Sequence, residues 1–215
     1  MKIAILFKIF LIFYSLVSFL TARPVSYVSG WTLMSFNDHT RNRMLVHYTP
    51  SFKYSLGYNV EYWNDKEYWI NNFNLNYLFK RVNTKKSQAN FYLKSGLGLL
   101  YSDFDENNAE IEYVAFTKFS ADWETRRQFF SYETEYIRSE SIADTFIQKG
   151  RIGFAPYLVG YGKLHTWLMY ELNHMPENDD TLTSSAVLRF FKSTHLLEVG
   201  VDEKRNISMN YIKRF

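Results

Sequence analysis

The chain of 215 residues contains no cysteine, which excludes disulfide bonds, thiolate metal sites and cysteine nucleophiles. Only 4 prolines and 9 glycines are present, and no long low-complexity linker divides the chain, so we expect a single domain. The formal net charge is only +3, from 25 basic and 22 acidic residues. This near balance lacks the excess of positive charge that nucleic-acid binding requires, and we expect no nucleic-acid partner.

Long apolar runs are also scarce, and the one that is present lies at the start of the chain. Lys2 and Lys8 lead into an apolar run that ends at Leu20, a pattern typical of a secretory signal peptide. The run is shorter than the roughly 20 apolar residues of a membrane-spanning helix. We predict a cleaved signal peptide over residues 1–22, with an uncleaved anchor as the alternative, and a single domain over 23–215.

Aromatic residues are abundant, with 17 Tyr, 19 Phe and 5 Trp, and they recur at every second position. Between 72 and 77, asparagine occupies the even positions and Phe, Leu or Tyr the odd ones. This period of two is typical of strands with one polar and one apolar face. The pattern predicts strands at 54–63, 71–79, 89–99, 111–123, 129–137, 164–173 and 196–202, and, less regularly, at 26–36, 43–50, 147–158, 182–191 and 206–215.

These segments favour a closed barrel over an open soluble sheet. Most are as long as the 9–11 residues that a tilted membrane-crossing strand needs, whereas ordinary strands average 5–6 residues. No second long apolar segment follows residue 22, so a membrane crossing would require a closed barrel. The fold class predicted is therefore all-β: a closed antiparallel up-and-down transmembrane barrel of about 12 strands, with 10 or 14 as alternatives, short turns and no plug domain.

The last predicted strand carries aromatic residues on its apolar face, at Tyr211 and at the terminal Phe215. Together with the predicted signal peptide and the alternating strands, this ending resembles the bacterial outer-membrane β-barrel proteins, although Lys213 departs from the apolar pattern. The resemblance implies a location in the outer membrane of a Gram-negative bacterium, with both chain ends in the periplasm. It also implies contact with outer-membrane lipid, and an assembly signal at Tyr211 and Phe215 that the barrel-assembly machinery recognises.

If the apolar faces meet lipid, the opposite faces line a lumen with charges of both signs, which would be costly in a dry core. This argues against a soluble lipocalin-like barrel with an apolar interior. Charges on consecutive strands, such as Glu133 and Lys149, are expected to pair across the wall. The predicted lumen-lining residues are Glu61, Lys94, Glu112, Lys118, Glu133, Glu135, Lys149, Arg151, His165, Glu171 and Arg189.

Three functions remain open from the sequence. The leading one is a small passive channel, or a structural or solute-binding porin-like protein, with a small polar solute or a metal ion as candidate ligands. The second is a lipid-modifying enzyme with a rim histidine, His39 or His174, that activates a hydroxyl. The third is a soluble periplasmic ligand-binding barrel. The spacing of His and Met residues is irregular, so we assign no catalytic residue, no metal ligand and no cofactor.

Overall fold

The computed structural model describes residues 27–102, 110–160, 162–176 and 181–215, and the predicted signal peptide lies outside these ranges. Each strand pairs antiparallel with its sequence neighbours, and the last strand closes on the first. The prediction of a closed up-and-down barrel of about 12 strands is thus confirmed. The strands are β1 Gly30–Asn37, β2 Arg41–Ser51, β3 Tyr54–Trp63, β4 Tyr68–Asn83, β5 Ser87–Ser102, β6 Ile111–Thr125, β7 Gln128–Arg138, β8 Asp144–Phe154, β9 His165–Met175, β10 Thr181–Lys192, β11 His195–Asp202 and β12 Ile207–Arg214.

Within the described ranges, no helix is long and apolar enough to span a membrane. The seam of the barrel joins β1 to β12, where Thr32 lies opposite Arg214 and Asn37 opposite Met209. The backbone N–H of Phe215 extends this ladder by donating to the carbonyl of Trp31 at 2.9 Å. The end of the barrel that carries Phe215 is called the inner end below, and the opposite end is called the outer end.

The asparagine-rich alternation separates the two surfaces of β4. Asn72, Asn74 and Asn76 point inward and are at most 5% exposed, whereas Phe73 is 73% exposed on the outer surface. Successive strand side chains point to opposite faces, so each apolar residue of this stretch lies outside and each amide lies inside. The barrel therefore carries an apolar outer surface, as the sequence pattern predicts.

Strands β4 and β5 extend beyond their predicted ends. At the inner end of β4, the prediction stopped early because a bulge interrupts the period-two pattern. The pairing register shifts between Leu78 and Lys80, and both Phe79 and Lys80 become exposed. A bulge inserts one residue into one strand, so the period of two is lost although the pairing continues beyond it. Polar residues such as Arg81, whose Nε donates to Asn90 Oδ1 at 2.7 Å, then complete a ladder that the hydropathy pattern alone does not reveal.

Strand β8 is displaced from its predicted position, 147–158. It begins earlier, where Asp144 pairs with Arg138, and it ends at Phe154. Pro156 lacks an N–H group and cannot extend the ladder. The last ladder bond comes from the Ala155 N–H, which donates to the carbonyl of Arg127 in the neighbouring β6–β7 turn. The connection between β8 and β9 is consequently longer than the Gly160–Gly162 turn expected from the sequence.

Several of the fully described connections are short and are stabilised by side-chain hydrogen bonds. At the outer end, Asp38 Oδ1 accepts from the N–H groups of Thr40 and Arg41, both at 2.9 Å. At the inner end, Thr125 Oγ1 accepts from the Gln128 N–H at 2.8 Å. Such side-chain contacts satisfy backbone groups that the tight turn leaves without a ladder partner.

Part of the interior is apolar, which the sequence pattern did not predict. A set of buried residues on β3 to β8, together with the β7–β8 turn, packs against one another in the outer half of the barrel. We call this set the outer cluster. Its members are Trp63, Tyr68, Ile70, Leu100, Val114, Phe116, Ile137, Ala143 and Ile147.

Candidate functional site

The polar interior begins with an ionic network that crosses the barrel between β2 and β7. Arg41 contacts both Glu61 Oε1, at 3.0 Å, and Glu135 Oε2, at 3.4 Å. Arg43 approaches the same two carboxylates at 3.6 and 3.8 Å, and its Nε donates to Asn59 Oδ1 at 2.7 Å. Because β2 and β7 are not neighbours in the sheet, these contacts connect opposite walls rather than adjacent strands.

The network continues onto β6 through Lys118. Its Nζ lies 2.7 Å from Glu133 Oε2 and 3.7 Å from Glu135 Oε2. Glu133 and Lys149 face each other in the β7–β8 register, as expected from the sequence, but the closest ion pair of each runs to a different strand. Pairing in the lumen therefore follows side-chain reach across the interior as well as strand adjacency.

A second network follows the wall from β8 to β12. Glu171 is contacted by Lys149, at 3.1 Å, and by Arg151. The Arg151 guanidinium also reaches Glu198 Oε1 at 2.9 Å, and Arg189 contacts the same oxygen at 2.6 Å. Two carboxylates thus bind three cations, and charge-assisted contacts of this kind hold long side chains in defined positions.

Lys94 forms no ion pair with any described residue, unlike Arg41, Lys118 and Arg151. It lies directly opposite Lys118 in the β5–β6 register, and its Nζ is 5.8 Å from the centroid of the Tyr92 ring. Nearby on β2, His47 is fully buried, and neither ring nitrogen has a partner among the described residues. This part of the interior offers hydrogen-bond donors that the protein's own carboxylates do not occupy.

These side chains border a cavity of about 260 Å³ that is lined by residues from every strand except β3. Its lining runs from Asp38 in the first outer turn, past Arg43, to Arg214 near the inner end. The cavity therefore extends along the barrel wall from one end to the other. Its basic lining residues are Arg41, Arg43, Lys94, Lys118, Lys149, Arg151, Arg189 and Arg214, and its acidic ones are Asp38, Asp122, Glu124, Glu133, Glu171 and Glu198.

The outer cluster fills the β3–β8 side of the interior at the outer end, and the β7–β8 turn covers it. The Glu112 carboxylate accepts hydrogen bonds from the N–H groups of Ser141 and Ile142, at 3.0 and 3.1 Å, and from the Ser141 hydroxyl. These bonds fold the turn over the barrel, where Ala143 is 2% exposed. Glu112 therefore anchors a turn to the wall and does not border the cavity.

All the sequence-predicted lumen residues lie on the inward side of their strands. Glu61 and Glu135 lie behind Arg41 and Arg43, and His165 lies near the inner end with its ring centroid 5.2 Å from that of Trp167. The predicted residues that border the cavity are Lys94, Lys118, Glu133, Lys149, Arg151, Glu171 and Arg189. Their part in solute passage remains a prediction.

Sequence reasoning missed the two arginines that span the interior. Arg41, Arg43, Leu45 and His47 occupy alternate positions and share the inward face of β2. Arg43 lies within the predicted strand 43–50 and could have been assigned to its inward face, whereas Arg41 lies outside that strand because β2 begins two residues earlier than predicted. Glu61 and Glu135 were predicted as lumen residues because polar and apolar residues alternate more regularly on β3 and β7.

The residues of the predicted assembly signal lie at the inner end. Tyr211 OH is 2.7 Å from His195 Nδ1, Lys213 Nζ is 2.8 Å from His195 Nε2, and Phe215 is 70% exposed. Lys213, which departs from the apolar pattern, is thus held by a histidine and by the Thr194 hydroxyl at 3.0 Å. The structure does not test whether the assembly machinery recognises these residues.

The candidate rim histidines do not assemble a recognisable catalytic group. His39 lies 3.3 Å from Thr40 Oγ1 and 3.8 Å from Asp202, but Thr40 is only 7% exposed. His174 has the opposite strand parity to Glu171, so it faces the outer surface of β9. Across residues 27–102, 110–160, 162–176 and 181–215, no three His, Asp or Glu side chains are grouped as metal ligands.

Neither a known protein-family profile nor a curated protein sequence matches this chain. Several solved structures share the fold. The KdgM porin, also described in complex with disordered oligogalacturonate, has a TM-score of 0.51 and 12% sequence identity, and the match covers 86% of this chain and 98% of that chain. The NanC porin gives a TM-score of 0.45 at 12% identity, with 85% and 98% covered. This chain therefore has the fold of the bacterial outer-membrane β-barrel porins.

Proposed function

We propose that this protein is a small passive channel of the Gram-negative outer membrane that passes small polar solutes and favours anions. The observation that carries this proposal is the cavity, whose lining extends from Asp38 at the outer end to Arg214 at the inner end. A cavity of about 260 Å³ has room for several water molecules or for a small solute. A structural barrel without transport would not require a cavity with charged side chains along its length.

The ionic networks support the proposal because they shape the passage without filling it. Arg41 and Arg43 are held against Glu61 and Glu135, so their guanidinium groups form one wall of the cavity. Arg151 and Arg189, held by Glu171 and Glu198, form part of the other wall. Fixed charges of this kind set which ions enter a pore and how strongly they bind.

The preference for anions follows from which charges are already neutralised. Glu133, Glu171 and Glu198 all have cationic partners within salt-bridge distance. Lys94 borders the same cavity and forms no ion pair within the described part of the chain, and Lys118 lies directly opposite it on β6. These two facing cations lie near the middle of β5 and β6, where a small anion would be stabilised.

The similar KdgM structure supports a hydroxylated acid as one class of solute. It is described in complex with disordered oligogalacturonate, so a barrel of this fold can hold a saccharide that carries carboxylates. In this chain, the buried Asn76 lies directly opposite Lys94 in the β4–β5 register, and the His47 ring borders the same cavity, so both supply hydrogen-bonding groups near Lys94. Amide and imidazole groups complement sugar hydroxyls, and an ammonium group complements a carboxylate.

The test is the conductance of the signal-free protein refolded into planar bilayers. We expect small, reproducible current steps, with a reversal potential in a KCl gradient that indicates anion preference. Lys94→Gln should lower the anion-to-cation permeability ratio by about twofold or more, because a fixed charge of the passage is removed. Lys66→Gln, in the turn after β3 and outside the cavity lining, is the matched control and should leave the ratio unchanged.

The outcomes separate the two parts of the proposal. A folded barrel that gives no current steps would refute the channel. Current steps whose selectivity is the same in the wild type and in Lys94→Gln would refute the anion site and leave the channel standing. We do not propose an enzyme, because the hydroxyl beside His39 belongs to Thr40, which is only 7% exposed, and His174 faces the outer surface of β9.

A further inference from the structure

The two ends of the barrel carry opposite charge. Every inner turn contains or adjoins at least one exposed cation, and the described residues of these turns include no aspartate or glutamate. The outer turns instead carry acids, among them Asp65, Glu67, Glu140 and Glu203. We call the exposed cations of the inner end the basic collar. Its members are Lys53, Lys85, Lys86, Arg126, Arg127, Lys163 and Lys192.

We propose that the basic collar binds the headgroups of anionic phospholipids in the membrane leaflet at the inner end. This inference rests on the proposed membrane location but not on channel activity. A cation near an anionic lipid surface is attracted to it, and several cations at one level add their effects. The cations of the collar come from five turns at the inner rim and are exposed there. The interior charges of the passage, by contrast, are largely paired with one another.

The distribution of the collar favours lipid over a protein partner. The cations occur around the whole circumference, on the turns after β2, β4, β6 and β8 and at the end of β10, rather than on one side. Lipid surrounds a barrel evenly, whereas a docked protein would contact one sector. The turn after β2 has only Phe52 and Lys53 between its strands, so Lys53 remains close to the level at which the outer apolar surface ends.

Aromatic residues accompany the cations on the outward surface of the inner end. Lys53 Nζ lies 5.9 Å from the centroid of the Phe52 ring, and Lys213 Nζ lies 5.5 Å from that of Phe215. Trp31 is 53% exposed, and its ring is tilted against that of Tyr48 with the ring centroids 5.1 Å apart. Aromatic side chains collect at headgroup level, and long basic side chains extend from there toward phosphate groups. The aromatic residues therefore place the inner rim at headgroup depth on the β12–β1–β2 side.

The experiment measures lipid selectivity of the folded protein in phosphatidylcholine vesicles by electron paramagnetic resonance. Spin-labelled phosphatidylglycerol and spin-labelled phosphatidylcholine report the fraction of each lipid immobilised at the protein surface. At low salt, we expect the association of phosphatidylglycerol to exceed that of phosphatidylcholine by about threefold. The ratio should approach one at 1 M salt, where the Debye length falls to about 3 Å.

A pair of charge-matched variants identifies the end responsible. The collar variant combines Lys53→Gln, Arg127→Gln, Lys163→Gln and Lys192→Gln. The control variant removes the same number of positive charges from the outer end through Lys66→Gln, Arg138→Gln, Lys204→Gln and Arg205→Gln.

We expect the collar variant to lose the preference for phosphatidylglycerol and the control variant to retain it. Equal immobilisation of the two lipids by the wild type would overturn the inference, as would an equal loss in both variants. Absence of any immobilised lipid would instead refute the membrane location on which the inference rests. A heat-induced shift in electrophoretic mobility verifies that each variant has folded before its lipids are compared.

Discussion

Neutralising Glu135 should destabilise the barrel, because this carboxylate connects three cations on two other strands. Its side chain is 4% exposed, and it lies within 3.4–3.8 Å of Arg41, Arg43 and Lys118. In Glu135→Gln the shape is nearly preserved, but the three cations lose a shared counterion. Arg41 and Arg43 retain Glu61, and Lys118 retains Glu133, so the network is weakened rather than abolished.

The expected loss of stability can be bounded from these distances. An ion pair at 4 Å with an effective dielectric constant of 20 is worth about 4 kcal/mol before desolvation is subtracted. Removing one partner of a buried pair costs about 3–5 kcal/mol. The cavity lets water reach one side of this network, and the cations keep other partners, so we expect a loss of about 3 kcal/mol in the free energy of unfolding.

Urea unfolding of the protein in lipid vesicles, followed by tryptophan fluorescence, measures this loss. Glu133→Gln is the matched control, because Glu133 lies two residues away on the same strand but is 31% exposed and has one close ion pair, to Lys118 at 2.7 Å. It should lose no more than about 1 kcal/mol. The reasoning fails if Glu135→Gln unfolds like the wild type, or if Glu133→Gln is the less stable of the two.

Two further substitutions test the packing inside and outside the barrel. A Cβ added at Gly96 would lie 2.8 Å from the Phe73 carbonyl oxygen and would also clash with the Phe116 ring, so Gly96→Ala should lower the stability in urea by about 1–3 kcal/mol. Gly150→Ala is its control, since a Cβ there meets nothing within 4 Å, and an equal loss in both would contradict the packing argument. Leu93, 44% exposed on the outer surface, should tolerate Met but not Arg, whose charge costs about 2–4 kcal/mol at the bilayer midplane. The yield of the heat-modifiable form in vesicles measures this difference, and equal yields for the two variants would show that Leu93 does not face lipid.

The fold could be predicted from the sequence because strand parity is a local property. Each segment that alternates asparagine or charge with aromatic residues keeps its two faces over its full length, and the polar turns separate the segments. The predicted strand ends were wrong where the hydropathy pattern and the backbone pairing do not coincide. The bulge at Leu78 breaks the parity while the ladder continues, and Pro156 ends β8 at a point where the apolar residues alone suggest a longer strand.

The organisation of the interior could not be read from the sequence in the same way. Ile70, Val114 and Ile147 lie on three different strands, and each has at least one polar neighbour two residues away on its own inward face. Only the pairing register and the barrel curvature bring them together with Trp63 into the outer cluster. The contact of Arg41 with Glu135 joins residues 94 positions apart and likewise depends on the diameter of the closed barrel.

The uneven interior gives the two halves of the cylinder different means of cohesion. The sheet from β3 to β8 encloses the outer cluster, so this half has a dry core of its own, much like one face of a sandwich. The seam between β1 and β12 lies in the other half, beside the water-accessible cavity. Closing this seam requires backbone hydrogen bonds and a few side-chain contacts, such as Met34 opposite Ile212, but none with the outer cluster. Formation of the curved central sheet and joining of the terminal strands are thus separable events, and the second can occur last without disturbing a packed core.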